Sequence, residues 1–436
     1  MKSVEQVLSE PSPATVNYRV DRRSTLQQLI DSGPNGHSPD NRSLKTPRSN
    51  GVHSGPAATK LNWKTGVLVP CLLNIWGVIM FLRLGWVVGQ AGIWLGTVII
   101  IFANVVTTVT ALSMCAICTN GEVKGGGVYF LISRALGPVF GGCIGILFFV
   151  AQAVATSLYI VGFGESIVDL MIELGVDAFT GDPTRINDIR VIGISTSVVL
   201  LLVALNGIGW YAKCQVGLLI VLVIAMISVF VGAFLPDMPN EEENMAAGFV
   251  GFGWRNQGSN FQTDPTLPEV TQNFFTVFAV FFPAVTGIMA GANLSGDLDD
   301  PSRSLPKGTL TAIAVTFVSY IALLWFVGLT CYDCVGPYCP EIATPEWAKT
   351  AEANGTLPQG GLLYNKLIMK NVSFWAPLVY IGVFAATLSS ALASLVGAPR
   401  ILQSVAHDKL FPWSCFNYFA KGVGAGNEPY RAYFLT

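Results

Sequence analysis

Eight long apolar runs, separated by short polar segments, follow a polar start. They predict membrane-crossing helices near 66–90, 93–117, 138–172, 190–206, 213–236, 273–296, 309–330 and 375–400, since about 20 consecutive apolar residues are what a bilayer core requires. The run 138–172 exceeds that length and predicts a helix that tilts or projects from the bilayer. The last residues, Tyr430-Arg431-Ala432-Tyr433-Phe434-Leu435-Thr436, read as the entrance to a ninth span. A truncated sequence or a short isoform is therefore the expectation.

Composition excludes a soluble protein. Of 436 residues, 52% are hydrophobic and 12% charged, with a mean hydropathy of +0.54, whereas soluble domains carry about 25% charged residues. The net charge of −2 and the lack of a Lys/Arg-rich face exclude a nucleic-acid partner. Residues 1–60 are rich in Ser, Pro, Asn and Asp and predict a disordered cytoplasmic tail. It has no apolar stretch of the signal-peptide kind. Ser24 and Thr25 follow Arg22-Arg23 and are either basic-directed phosphorylation sites for regulatory kinases or incidental parts of a solvated tail. Residues 61–436 form the membrane domain.

Loop charges give the orientation. One side carries Lys60, Lys64, Lys124, Arg134, Lys213, Arg303, Lys307, Arg400, Lys409 and Lys421; the other carries Glu241-Glu242-Glu243 and the acidic stretch from Asp169 to Asp188. The positive-inside rule places the N-terminus in the cytoplasm. The loop 331–374 is then extracellular. It holds Cys331, Cys334 and Cys339, disulfide candidates of odd number, and the sequons at Asn354 and Asn371. Asn354 is the preferred glycan site, because Asn371 lies close to a span. Cys115 and Cys118, inside an apolar run, read as packed thiols.

Two apolar runs are interrupted where a helix has no need of it. One reads Asn74-Ile75-Trp76-Gly77-Val78-Ile79-Met80, the other Pro283-Ala284-Val285-Thr286-Gly287-Ile288-Met289. A broken membrane helix frees N–H groups at the start of one half and C=O groups at the end of the other, with partial positive and negative charge respectively. Such groups are costly in hydrocarbon unless paired, so they occur facing protein or a wet cavity. Paired breaks are the mark of an inverted-repeat transporter with a midplane site. Each glycine taken alone could equally serve helix packing.

Other polar groups lie within the runs. Ser389 and Ser390 either bond back to their own helix or offer oxygens to a hard cation. Tyr159 is either a packed phenol or a bridge between a cation and an anion. Arg83 and Glu165 sit seven and six residues past Trp76 and Tyr159, roughly 10 and 9 Å outward along their helices. They are read as a pair that forms when an outer vestibule closes, against the alternative of two unrelated side chains reaching for water. Thr119-Asn120-Gly121-Glu122-Val123-Lys124-Gly125-Gly126-Gly127 lacks the Gly-Lys-Ser/Thr of a phosphate loop and reads as a tight cytoplasmic connector. The three histidines, His37, His53 and His407, have no zinc-type spacing. No enzyme constellation and no cofactor is expected.

Taken together, Gly66-Val67-Leu68-Val69-Pro70-Cys71-Leu72-Leu73-Asn74-Ile75-Trp76-Gly77-Val78, the segment Thr119–Gly127, Ser133-Arg134-Ala135-Leu136-Gly137-Pro138 and Ala290-Gly291-Ala292-Asn293-Leu294-Ser295-Gly296-Asp297-Leu298 resemble the cation-chloride cotransporters, closest to the sodium-potassium-chloride branch. The resemblance implies an all-α membrane protein of the amino acid-polyamine-organocation (LeuT-like) inverted-repeat fold, here with the second repeat incomplete. It implies electroneutral symport of Na⁺, K⁺ and Cl⁻ across the plasma membrane, serving cell volume and chloride homeostasis.

By position, the resemblance puts Na⁺ among Leu73, Trp76, Ala386, Ser389 and Ser390. It puts K⁺ at Asn74, Ile75, Tyr159, Pro283 and Thr286. It puts one chloride at Gly77, Val78 and Ile79 and another at Gly287, Ile288 and Met289. Arg83 and Glu165 match the outer gate pair. The serine pair argues against the potassium-chloride branch and Tyr159 against the sodium-chloride branch. Set against that resemblance, the expectation is a chain without spans nine to twelve, the large C-terminal domain and the dimer contacts of a full-length form. An amino acid transporter of the same fold and a non-transporting regulatory subunit remain the rival readings.

Overall fold

The computed structural model describes residues 60–436 apart from 121–122, 124–125, 236–243, 245–246, 250, 254–260, 262–271, 333–360, 364, 412–415 and 424–427. The tail with Ser24 and Thr25, Glu241–Glu243, Cys334, Cys339 and Asn354 lie outside the described residues. In chain order the helices are α1 (Lys64–Leu82), α2 (Leu84–Thr119), α3 (Gly127–Leu136), α4 (Pro138–Glu173), α5 (Ile186–Leu205), α6 (Ile208–Phe234), α7 (Phe274–Asp297), α8 (Pro301–Thr330), α9 (Ile368–Val372), α10 (Ala376–His407), α11 (Phe416–Phe419) and α12 (Tyr430–Tyr433). Eight of them, all but α3, α9, α11 and α12, are long and apolar enough to cross a membrane.

The boundaries have local causes. Gly92, at φ 68° and ψ 176°, turns the chain inside α2, a backbone geometry that glycine adopts without penalty. The first crossing thus runs on to Ala91, carried past Arg83 by bonds from Arg83 N to Ile79 O and from Val87 N to Arg83 O, both 2.9 Å. Two helices outrun their apolar cores. α8 starts at Pro301, eight residues before the expected 309, because Asp300 caps it and accepts from Arg303 N. Donors to the Asp300 carboxyl, the Ser302 hydroxyl first, hold it below the usual carboxylate range. α10 continues past Arg400 to His407, since Ile401, Leu402, Val405 and Ala406 extend its buried stripe.

The helices pack in two groups. α2 lies along α8 and against α7; α10 lies along α4 and against α6, with α5 flanking α4. The Val69–Ile75 half of α1 runs between the groups and touches α6, α7, α8 and α10. α4 and α5 turn Leu147, Val154, Leu158, Ile194, Val198 and Leu202 outward. Side chains of that kind facing outward around a helix bundle belong in lipid.

At the end of the bundle away from Lys60, segments 247–248, 332 and 361–362 are joined by Tyr332 N to Gly248 O, Gly361 N to Ala247 O and Leu362 N to Tyr332 O, at 2.8, 2.9 and 3.0 Å. Asn371 is buried there, bonded to Asn244 and Asn365 at 3.0 Å each. Its sequon is therefore occupied by packing. Cys331 is buried at the end of α8.

Candidate functional site

The first break is abrupt. An α-helix runs from Val69 to Ile75; Trp76 leaves it at φ −76°, ψ 53°, and Gly77 is extended at ψ −173°. Helix resumes at Val78. The amides that open this outer half have no helical turn behind them, so they lack intrahelical acceptors. Leu73, Ile75, Trp76 and Gly77 are buried, and Asn74, Val78 and Ile79 half-buried. The Asn74 side chain turns back to Pro70 O at 3.0 Å. The Trp76 indole is fixed by a 2.7 Å bond to the Ser319 hydroxyl.

The second break differs from the glycine-centred gap expected. The α-helix of α7 ends at Phe281, and 3₁₀ turns cover Phe282–Val285, Gly287–Ala290 and Ala292–Asp297. Pro283 explains the early end: it offers no N–H, and its ring conflicts with the carbonyl a turn back, at Ala279. Thr286 donates from its hydroxyl to Pro283 O at 2.8 Å and from its amide at 3.3 Å. The Pro283 and Thr286 oxygens are thus brought together, and both residues are exposed.

The two breaks touch. A Cβ added to Gly287 would lie 2.6 Å from the Asn74 carbonyl carbon and 2.8 Å from Ile75 N. Backbone meets backbone there, and only glycine permits it. Gly77 is less confined, with the Asn74 carbonyl oxygen 3.3 Å from such a Cβ. Cys71 Sγ bonds Ile288 O at 3.4 Å. Tyr320 of α8, fully buried, donates to Ile75 O at 2.6 Å and stands 3.5 Å from Ala284 O.

α10 brings Ala386, Ser389 and Ser390 to the same interior, all fully buried. The serines differ. Ser389 Oγ bonds back to Ala386 O at 3.0 Å, the local alternative foreseen for such hydroxyls, whereas Ser390 Oγ has no partner among the described residues. Ser389 O accepts from Gln215 Nε2 of α6 at 3.0 Å. Tyr159 on α4 packs half-buried against the core. Arg83 and Glu165 are both exposed, and among the described residues no ion pair joins them. At the other end, Arg400 of α10 pairs with Asp297 at the end of α7, and with Glu428 at 3.1 Å. Lys60 Nζ reaches Gly296 O at 2.9 Å and Leu61 N reaches Asp297 O at 2.8 Å. These bonds join α7 to α10 and to the residues that lead into α1 at that end.

Reading the sequence missed Cys71, Gln215, Ser319, Tyr320 and the Arg400 cluster. The signal for Gln215 and Tyr320 was present, as a lone amide and a lone phenol in apolar runs, but their partners lie 174 and 245 residues away.

Broken, contacting helices at the centre of a bundle of lipid-length helices define a multi-pass membrane transporter. The chain belongs to the amino acid permease family, whose model matches residues 66–436; this is a family of transporters and not of enzymes. It is 46% identical over 392 residues to solute carrier family 12 member 1 of Rattus norvegicus (86% of this chain, 34% of the relative). It is 47% identical over 389 residues to solute carrier family 12 member 2 of Mus musculus (86% and 31%). It is 40% identical over 444 residues to the bumetanide-sensitive sodium-(potassium)-chloride cotransporter of Manduca sexta (100% and 41%). The resemblance to the sodium-potassium-chloride branch of the cation-chloride cotransporters, and with it the LeuT-like fold, stands with these matches. The chain spans 31% to 41% of the length of these relatives.

Proposed function

We propose that this chain carries Na⁺, K⁺ and Cl⁻ together across the plasma membrane as an electroneutral symporter, with two chlorides per cycle and an N-terminus in the cytoplasm. The observation that carries this reading is the backbone contact between the breaks at Asn74-Ile75 and Gly287. Freed carbonyls of one polarity and freed amides of the other then share one volume, buried on the α1 side and exposed at Pro283 and Thr286. Cations beside anions in such a volume avoid the desolvation cost of isolated charges.

The assignments by residue follow. Na⁺ goes to Leu73, Trp76, Ala386, Ser389 and Ser390. K⁺ goes to the carbonyls of Asn74, Ile75 and Pro283, with the Thr286 hydroxyl and the Tyr159 phenol. Chloride goes to the amides of Gly77, Val78 and Ile79, and of Gly287, Ile288 and Met289. The Ile75 carbonyl, already accepting from Tyr320, keeps one lone pair for the cation. With the Lys60 end joined in this way and Arg83 apart from Glu165, the conformer is read as open outward, and loading would bring the outer pair together. Rocking of one helix group against the other would then expose the ions inside. The bulk of Trp76 beside Gly77 weighs against an amino acid as cargo, and the similarity to the Manduca sexta cotransporter weighs against a purely regulatory role.

Radioactive rubidium uptake in cells expressing the chain, with Na⁺ or Cl⁻ replaced one at a time, tests the proposal. Loss of uptake on either replacement is expected. Uptake indifferent to sodium contradicts the branch, and uptake that appears only as a change in a co-expressed transporter supports the regulatory reading.

A further inference from the structure

Among the described residues, two buried oxygens at the serine pair, one from the pair itself and one from α6, have no hydrogen-bond partner. Gln215 of α6 is fully buried, and its Nε2 donates to Ser389 O at 3.0 Å. A carbonyl can only accept, so the amide orientation is determined: nitrogen toward Ser389, Oε1 away from it. Oε1 meets no donor. One residue along α10, Ser390 is fully buried and its Oγ also has no partner. Hydroxyls inside a helix ordinarily bond back one turn. Thr387 and Ser389 do so, to Val383 O and Ala386 O at 2.9 and 3.0 Å, and Ser390 does not.

Buried acceptors without donors destabilise a fold. A hard cation satisfies several oxygens at once, because its preferred ligands are hydroxyl, carbonyl and carboxamide oxygens. We infer that Gln215 Oε1 is a ligand of the sodium ion carried by this chain, acting with Ser390 Oγ from the opposite helix. This rests on the serine pair being the sodium site. It adds α6 to the elements that hold the ion, and it adds a neutral oxygen, which leaves the charge balance of the load unchanged. The bond to Ser389 is the positioning half of the same side chain; the free oxygen is the binding half.

The test compares Gln215→Met and Gln215→Glu with the unaltered chain. Two readouts are taken: sodium activation of rubidium uptake, and sodium-dependent thermal stabilisation of the purified protein at constant ionic strength. Methionine fills the volume and offers no oxygen. It should raise the half-activating sodium concentration about tenfold, equivalent to about 1.4 kcal/mol, and leave the potassium and chloride concentrations within about twofold. Glutamic acid keeps an oxygen at the same place, but a cation bound beside it favours its charged form, which cannot donate to Ser389 O. It should retain more sodium activation than Gln215→Met while its curve departs from that of the unaltered chain, and a Gln215→Glu variant as impaired as Gln215→Met overturns the inference. An unmoved sodium curve in Gln215→Met overturns the inference while leaving the serine site intact. Equal shifts for all three ions show a structural role and overturn it as well. If the unaltered chain neither needs sodium for uptake nor is stabilised by it, the underlying site is wrong and this inference goes with it. Where a variant gives too little uptake to measure, the thermal readout decides in the same terms.

Discussion

The two breaks solve the same problem by different means. In α1 the helix stops over two residues, Trp76 and Gly77, and restarts at Val78. In α7 it relaxes through three successive 3₁₀ turns from Phe282 to Asp297. The first break is mostly buried; the second exposes Pro283 and Thr286. Glycine plays a different part in each. Gly287 is required by contact, since the backbone of Asn74 and Ile75 occupies the space a side chain would need. Gly77 is not at positive φ and meets a single oxygen at 3.3 Å. Its smallness leaves the amides behind it open without being demanded by packing. A glycine in an apolar span can thus mark a contact or an aperture, and only the neighbouring chain distinguishes the two.

The largest expected effect tests this difference. Gly287→Ala must push the two backbones apart, at a cost of about 1–3 kcal/mol. It should abolish rubidium uptake at normal surface expression, while Gly77→Ala keeps a measurable fraction. Equal losses from both would erase the distinction. Tyr320→Phe comes next. It removes the donor to Ile75 O, a hydrogen bond contributing about 0.5–1.5 kcal/mol, and frees that carbonyl. The half-activating potassium concentration should move by up to about tenfold, with sodium activation little changed. A shift confined to sodium would place Ile75 in the other cation site.

The serine pair offers a finer comparison. Ser390→Ala removes an oxygen that has no partner among the described residues and should weaken sodium activation more than Ser389→Ala, whose hydroxyl is already engaged with Ala386 O. The reverse order in sodium titrations would reassign the ligand. The smallest effect is expected at the outer end, where Arg83 and Glu165 are exposed and separate. Exposed ion pairs are worth about 0–1 kcal/mol. Each charge reversal alone should slow uptake modestly, and Arg83→Glu combined with Glu165→Arg should restore it. Failure of the double variant to recover removes the pair from the cycle.

The membrane spans were legible in the sequence because bilayer thickness is a one-dimensional constraint that each helix must meet alone. The place of the first break was legible for a similar reason, as Gly77 has no other role in its run. The character of the second was not, although Pro283 stood in plain sight: an early end to α7 and a 3₁₀ continuation depend on neighbours that accept the altered backbone. Ser390 could be named from sequence but not told apart from Ser389, because which hydroxyl bonds back depends on the local turn. Gln215, Tyr320 and Arg400 escaped notice because their meaning lies in partners on other helices. Composition alone ranks an amide in α6 with any other helix-packing polar group.

Diffraction from crystals grown with rubidium and bromide in place of potassium and chloride, using the anomalous signal of each ion, tests most directly whether unwound backbone holds the cargo. The account predicts rubidium between the Asn74-Ile75 carbonyls and the Pro283-Thr286 oxygens, and bromide at the amides of Gly77 to Ile79 or of Gly287 to Met289. Peaks found only beside charged side chains, with both breaks vacant, would contradict it.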